Sequence, residues 1–196
     1  MSALHWTIAV EGESDAAVVA AVLRTVGHAV GIVHICGGKG RLDAGLRGYA
    51  AAAAFSPWLV LRDLDHDADC AASLLRDLRP AGVAGVAGCV RIAVRAVEAW
   101  LLADPSAATW LGVSRATLPA EVEAVADPKR LLVELARRSR LRSIREDIVP
   151  RRTGAIGPGY VDQVRSFCGS RWDPLAAAKR SDSLKRCLRF VRSQRP

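Results

Sequence analysis

The chain has 196 residues and a net charge of +8; 51% of its residues are hydrophobic, many of them alanine, and only 5% are aromatic. This length allows one domain with a core of its own, and the composition favours a helix-rich α/β fold over a β-sandwich or a barrel. No apolar run reaches the roughly 18 residues of a membrane span, and five cysteines without a C-x-x-C pair indicate a cytoplasmic protein that has neither a zinc site nor a disulfide framework.

The first hundred residues alternate between strand-like and helix-like segments. The opening residues lack the basic stretch of a signal peptide, and branched apolar runs predict the strands His5–Val10, Gly31–Ile35, Trp58–Leu61 and Cys89–Val94. Apolar residues at helical spacing predict the helices Ala16–Val26, Leu42–Ala54, Ala68–Leu78 and Ala96–Ala103. Ser14 is expected to cap the first helix and Gly27 to end it, whereas Leu78–Gly88 has no readable pattern. This order is typical of a doubly wound parallel sheet.

Beyond residue 105 the pattern changes to helices alone. Asp104-Pro105 ends the fourth helix. The later segments predict two short helical pieces in Ser106–Ala126, a basic helix over Pro128–Arg142, a loop over Arg151–Gly159, and the helices Tyr160–Cys168 and Pro174–Ser193. We therefore expect an α/β domain over residues 1–105 and a helical, basic region over residues 106–196 that packs on it.

Charged residues or glycines follow each predicted strand. The four stretches are Glu11-Gly12-Glu13, the glycine-rich loop around Lys39, the acidic run Asp63 to Asp67, and Glu98. In an open parallel sheet the loops after the strands emerge along one edge, and ligands bind there. We therefore expect these four stretches to meet.

Three aspartates, Asp63, Asp65 and Asp67, come after the third strand at every second position. In an extended chain alternate side chains share a face about 6.6 Å apart. Two carboxylates at that distance repel by about 2–3 kcal/mol at an effective dielectric constant of about 20. A divalent cation such as Mg²⁺ would relieve this repulsion. The alternative is a solvated acidic loop in which Asp67 or Asp69 caps the next helix.

The loop around Lys39 matches neither common phosphate-binding signature. A P-loop needs an earlier glycine and a Ser or Thr directly after its lysine, but Gly40 and Arg41 follow Lys39. The first strand is not followed by G-x-G-x-x-G either. Lys39 therefore either contacts a phosphate as a point charge or is a solvated lysine in a tight turn.

Several of these stretches resemble one known family. Glu11-Gly12 after the first strand and Asp63-Leu64-Asp65 after the third are similar to the toprim domain of topoisomerases, primases and the overcoming-lysogenization-defect nucleases. More closely, VEGESD, RDLDHD, RIAVRAVEAWLLAD and WDPLAAAKRSDSLKRC resemble an uncharacterised bacterial toprim-like family, often encoded beside AAA-type ATPases in phage-defence contexts. The resemblance implies a fold in which Glu11, Asp63 and Asp65 bind Mg²⁺ or Mn²⁺ and handle phosphodiesters, with Asp67 and Glu98 as added acids.

Taken together, the sequence predicts a metal-dependent nuclease for DNA or RNA, with an AAA-type ATPase as a candidate partner. The expected catalytic residues are Glu11, Lys39, Asp63 and Asp65, and the expected metal ligands are Glu11, Asp63, Asp65, Asp67 and Glu98. Bases exceed acids about three to one from Lys129 onward, and a basic region of this kind favours a polyanion. Residues expected to hold backbone phosphates are Arg151, Arg152, Lys179, Arg180, Lys185 and Arg186.

Two alternatives stay open at this point. The basic residues, including the set Lys185, Arg189 and Arg192, could form an ordinary solvated surface. The chain could also be a non-catalytic effector or partner module of an ATPase, in which the acids hold a structural ion.

Overall fold

The computed structural model describes residues 3–79 and 86–194, and it has an α/β fold. Within these residues four strands form one parallel sheet in the order β2-β1-β3-β4. The strands are β1 His5–Val10, β2 Ala29–Ile35, β3 Trp58–Asp63 and β4 Val90–Ala93. The predicted fold class is confirmed.

Helices flank the sheet and form the C-terminal region. Those that precede β4 are α1 Glu13–Thr25, α2 Lys39–Ala52, α3 Ala71–Asp77 and the single turn α4 Val86–Cys89. After β4 come α5 Val97–Ala103, α6 Ala107–Leu111, α7 Pro128–Arg137, α8 Arg142–Ile148, α9 Tyr160–Ser170, α10 Pro174–Ala177 and α11 Asp182–Ser193. Two 3₁₀ turns, Arg115–Thr117 and Val122–Ala124, lie between α6 and α7.

The two faces of the sheet bury separate hydrophobic clusters. In β1, Trp6 and Ile8 belong to the larger cluster, which also contains α1 and the C-terminal helices. Ala9 belongs to the smaller cluster, together with residues of α2 and α3. Because both faces of the central strands are covered, β1 and β3 are each apolar at four of their six positions, a composition typical of buried parallel strands.

The larger cluster runs without a break into the C-terminal helices, from Trp100 of α5 to Val191 of α11. Within it the rings of Trp110 and Phe167 stack with centroids 4.3 Å apart, and an aromatic pair of this kind contributes about 0.5–1.5 kcal/mol beyond its buried area. The helical region therefore packs on the sheet, while the division of the chain at residue 105 stays a prediction. In the described ranges no helix is long and apolar enough to cross a membrane.

The start of α1 corrects one prediction, and its end confirms another. The N-cap is Gly12 and not Ser14, because the Asp15 carboxylate accepts the Gly12 N–H at 2.8 Å and fixes the first turn two residues earlier. Gly27 adopts a φ of +82° just past the last turn and ends the helix as predicted. Strand β2 begins at Ala29, two residues before its predicted start.

The C-terminal helices are shorter and more numerous than predicted. The predicted helix Pro128–Arg142 ends at Arg137, and α8 follows it without having been predicted. The predicted helix Pro174–Ser193 is two helices, because the Ser181 hydroxyl accepts the Leu184 N–H at 3.2 Å and caps a new one. Of the unread stretch Leu78–Gly88, residues 80–85 lie outside the described residues.

Candidate functional site

The charged residues that follow β1, β3 and β4 meet at the carboxyl edge of the sheet. A carboxylate oxygen of Glu11, just after β1, accepts the N–H of Asp63, the last residue of β3, at 3.1 Å. A carboxylate oxygen of Asp63 accepts the N–H of Val97 at the start of α5 at 3.1 Å. In the order β2-β1-β3-β4, the chain crosses from β1 to β2 on one side of the sheet and from β3 to β4 on the other side. The site therefore lies at the switch point of the sheet, where ligands of open α/β folds bind.

The expected alternation of the three aspartates is wrong. Strand β3 ends at Asp63, and Asp65 has a φ of +48°, in the left-handed region. The Asp65 N–H donates to the Arg95 carbonyl at 2.8 Å, and the Asp67 N–H donates to the Leu64 carbonyl in a turn. The chain therefore turns after β3, and the buried Asp63 is separated from the half-exposed Asp65 and Asp67.

Asp65 and Asp67 form an outer cluster with Lys39, Arg62 and Asp43. The Lys39 ammonium lies 3.1 Å from an Asp65 oxygen and 2.7 Å from an Asp67 oxygen. The hydrogen bond from Lys39, with a second one from Arg62, lowers the pKa of Asp67 below its ordinary value. The two cations of the outer cluster therefore offset most of the charge of its three acids.

Arg62 is the buried centre of the outer cluster, and its role was not predicted. Its side chain is only 3% exposed, and it donates to Asp43 at 3.0 Å and to Asp67, and lies 3.5 Å from Glu11. These partners keep the guanidinium charged in spite of its burial. The sequence did contain a signal, because Arg62 directly follows the apolar run Trp58–Leu61, and a charged residue in a buried strand needs partners. The sequence did not identify Asp43 as one of these partners.

An inner cluster consists of Asp15, Asp63, Glu98, Lys129 and Tyr160. Glu98 is fully buried, and one of its oxygens accepts the Tyr160 hydroxyl at 2.6 Å and lies 3.4 Å from the Lys129 ammonium. The second oxygen, Oε2, has no hydrogen-bond partner among the described residues. Lys129 and Tyr160 come from α7 and α9, so the helical region completes this part of the site.

The inner cluster holds more negative charge than its lysine neutralises. Burial, followed by the charge of Glu98, raises the pKa of Asp63 well above its ordinary value and raises that of Asp15 to about 6. Burial also raises the pKa of Glu11, which joins the two clusters. Because burial and neighbouring acids disfavour the ionised forms, this group of carboxylates would gain from an additional cation.

The fit to a metal ion is incomplete. Across residues 3–79 and 86–194, no three Asp, Glu, His or Cys side chains converge closely enough to hold one ion as they stand. Lys39 and Arg62 occupy oxygens of the outer cluster, and the Val97 N–H occupies an oxygen of Asp63. The candidate ligands are carboxylate oxygens, which Mg²⁺ prefers. The unpartnered oxygen of Glu98 has no competing hydrogen-bond donor within these ranges. The other side chains must shift before they can share one ion.

A cleft gives solvent access to both clusters. It has a volume of about 360 Å³ and is lined by Lys39, Asp63, Asp65 and Lys129 among others. Lys39, Asp63 and Asp65 were predicted to be catalytic, whereas Lys129, which belongs to the helical region, was not predicted to be part of the site.

The six predicted phosphate-binding residues differ in their exposure and in their partners. Arg151 and Arg152 are exposed in the loop after α8, and Lys179 and Lys185 are exposed near α11. Arg180 donates to the backbone carbonyls of Ala103, Pro119 and Ala120, and Arg186 donates to Asp182 at 2.6 Å. Arg180 and Arg186 thus already have protein partners.

The structure defines an α/β protein with a four-stranded parallel sheet whose switch point carries buried carboxylates. Comparison of the chain with protein-family models, with curated proteins and with solved structures gives no match.

Proposed function

We propose that this protein is a metal-dependent phosphodiester hydrolase that acts on DNA or RNA. The observation that carries the proposal is the excess of carboxyl groups over cations at the switch point, where Glu11, Asp63 and Glu98 come from three separate chain segments. A hard divalent cation, Mg²⁺ or Mn²⁺, is the partner that such carboxylates favour, and it brings a substrate phosphate with it.

The ligands of the ion are proposed to be Glu11, Asp63 and Glu98, with Asp65 and Asp67 added once Lys39 moves away from them. When bound, such an ion supplies a Lewis acid that polarises a phosphoryl oxygen. Glu11 has a raised pKa, and its side chain is 17% exposed, so it is also suited to exchange a proton with the attacking water.

Lys39 is the proposed contact to the substrate phosphate. Its side chain is 44% exposed, and it lines the cleft at the first residue of α2. A phosphate that enters the cleft would compete with Asp65 and Asp67 for this ammonium, and the released carboxylates would then be available to the ion.

The resemblance to toprim proteins supports the same proposal. In this chain the glutamate follows β1 and the D-x-D pair begins at the last residue of β3, and these two strands are neighbours in the sheet. It also supports an AAA-type ATPase as a partner and a role in phage defence.

The test is cleavage of supercoiled plasmid and of single-stranded RNA with Mg²⁺ or Mn²⁺, by wild type and by Asp63→Asn. We expect cleavage that EDTA abolishes and that Asp63→Asn lowers by a factor of about 100 or more. The matched control is Asp162→Asn, since Asp162 is an exposed aspartate far along the chain in α9. Equal cleavage by wild type and Asp63→Asn would exclude the proposed site.

A second candidate function is favoured by the ion pairs of the outer cluster. Lys39 and Arg62 already neutralise Asp65 and Asp67. The chain could therefore be a non-catalytic partner module of an ATPase, in which the acids hold at most a structural ion. Cleavage assays with and without the candidate ATPase, together with the mass of the complex, separate the two functions. A stable complex without cleavage in any combination supports the second.

A further inference from the structure

We propose that a groove along α11 binds the sugar-phosphate backbone of a single nucleic-acid strand. The groove has a volume of about 690 Å³, and its walls come from the turn that precedes α11, from α11 itself and from the segment around Glu121. We call it the basic groove and define it by four cations that line it: Lys179, Lys185, Arg189 and Arg192. The choice of nucleic acid as the ligand class rests on the proposed function, whereas the site itself rests on the charges below.

These four cations have no acidic partner, unlike four arginines of the helical region. Arg137, Arg142, Arg165 and Arg186 each lie within ion-pair distance of a carboxylate. Within the described part of the chain, none of the four groove cations does, and all four are exposed. Like charges gathered in one concavity repel one another, so an anion with several charges is the ligand that this arrangement favours.

The acids of the groove do not cancel this charge. Glu123 accepts hydrogen bonds from the hydroxyls of Ser181 and Ser183, and Asp182 accepts from Arg186. Arg180, which also lines the groove, is held by backbone carbonyls. Five cations line the groove once Arg180 is counted, against three acids, Glu121, Glu123 and Asp182, so the lining keeps an excess of positive charge.

The spacing of the cations suits a phosphate backbone. Lys185, Arg189 and Arg192 are four and three residues apart on α11 and therefore share one face, with rises of about 6 Å and 4.5 Å between them. The opposite face is buried through Leu184 and Val191, so these side chains cannot turn inward. A row of cations over about 10 Å can contact successive phosphates, which follow one another every 3.4 Å along the axis of one strand in a duplex and farther apart when extended.

The lining also indicates which part of the nucleic acid is bound. None of the described residues that line the groove is aromatic, so it lacks the platforms on which unpaired bases stack. Recognition would therefore involve phosphates and would be independent of base sequence. One strand is the proposed ligand because the three cations of α11 form a single row, which one chain of phosphates can follow.

The groove begins close to the candidate active site. The hydroxyl of Ser183, in the first turn of α11, accepts the N–H of Val94 at 3.2 Å, directly after β4. Ala93, the last residue of β4, is the register partner of Asp63. The basic groove therefore starts at the edge of the sheet that carries the acids.

The test is fluorescence anisotropy with labelled oligo-dT and oligo-U of about 15 nucleotides, in EDTA so that no cleavage occurs. We expect Lys185→Gln/Arg189→Gln to bind at least about tenfold more weakly than wild type, and the slope of log affinity against log salt to fall by about 1.4, or 0.7 for each lost contact. The control Arg142→Gln/Arg165→Gln removes two arginines that already have acidic partners and should bind within twofold of wild type. Unchanged thermal melting confirms that both variants fold.

Three results would overturn the inference: wild-type affinity in the Lys185→Gln/Arg189→Gln variant, equal losses in the control, or tighter binding of a blunt duplex or of polyglutamate than of either oligonucleotide. A different result would refute the proposed function. Wild type that binds oligonucleotides through the groove but cleaves nothing with Mg²⁺ or Mn²⁺ would refute the hydrolase and leave the groove standing.

Discussion

Replacing Asp15 with asparagine should stabilise the protein at neutral pH, although Asp15 makes two hydrogen bonds. Its carboxylate accepts the Gly12 N–H at 2.8 Å and the Ser14 hydroxyl at 3.2 Å, and it is nearly fully buried beside Glu98. Asparagine keeps one acceptor oxygen for Gly12 and removes the charge. The substitution therefore loses the hydrogen bond from Ser14, but it removes a buried charge and its repulsion by Glu98.

The size of the effect follows from the pKa. Burial and the charge of Glu98 raise the pKa of Asp15 from 3.8 to about 6, and each unit of pKa shift corresponds to about 1.4 kcal/mol. Ionised Asp15 therefore destabilises the folded state by about 3 kcal/mol at neutral pH. Loss of the Ser14 hydrogen bond offsets about 1 kcal/mol of the gain. We expect a net gain of about 1–2 kcal/mol in the free energy of unfolding, or about 2–8 °C in Tm.

The gain should depend on pH. Because the folded pKa is raised above that of the unfolded chain, the wild type loses stability as the pH rises from about 4 to about 7, and Asp15→Asn removes that loss. The advantage of the variant should disappear near pH 4, where the folded wild type is protonated at Asp15. The measurement is urea unfolding at both pH values, with the exposed Asp162→Asn as control. A variant that is less stable than wild type at neutral pH would refute the account of the inner cluster.

Three further predictions concern neighbouring residues. Arg62→Met should cost about 2–3 kcal/mol in urea unfolding, because it leaves the partly exposed carboxylates of Asp43, Asp67 and Glu11 without their buried cation; a cost below about 1 kcal/mol would contradict the role of Arg62. Tyr160→Phe should lower the free energy of unfolding by about 1–3 kcal/mol, because Glu98 loses its hydroxyl donor; an unchanged midpoint would argue against that hydrogen bond. Lys39→Gln should change stability by less than about 1 kcal/mol, because its ion pairs are exposed, yet greatly reduce cleavage; full cleavage by this variant would remove Lys39 from the site.

The strand-helix alternation was sufficient to predict the sheet and the edge at which the acids meet. Apolar runs such as Trp58–Leu61 mark strands that are buried on both faces, and the residue types that follow them mark their carboxyl ends. The separation of Asp63 from Asp65 was not predictable from spacing, because it depends on the left-handed φ of Asp65. Local hydrogen bonds of the chain after β3 set that conformation, and an alternating pattern carries no information about them.

The inner cluster was only half predictable. Asp63 ends β3 and Glu98 lies in the first turn of the helix after β4. Lys129 and Tyr160 belong to helices remote in sequence, and only tertiary packing brings them to the site. The same holds for the basic groove, since the ion pairs that set Arg186 apart from Arg189 depend on the face of α11 that each residue occupies. Net charge predicted a basic region without indicating which of its residues are free to bind.

The most direct test of the central claim is binding of Mn²⁺, followed by the loss of the free-ion signal in electron paramagnetic resonance, for wild type, Asp63→Asn and Asp162→Asn. The inner cluster predicts that wild type and Asp162→Asn bind one or more ions, and that Asp63→Asn binds at least about tenfold more weakly. Equal binding by all three proteins, or no binding by the wild type at millimolar Mn²⁺, would contradict the claim that these carboxylates form a metal site.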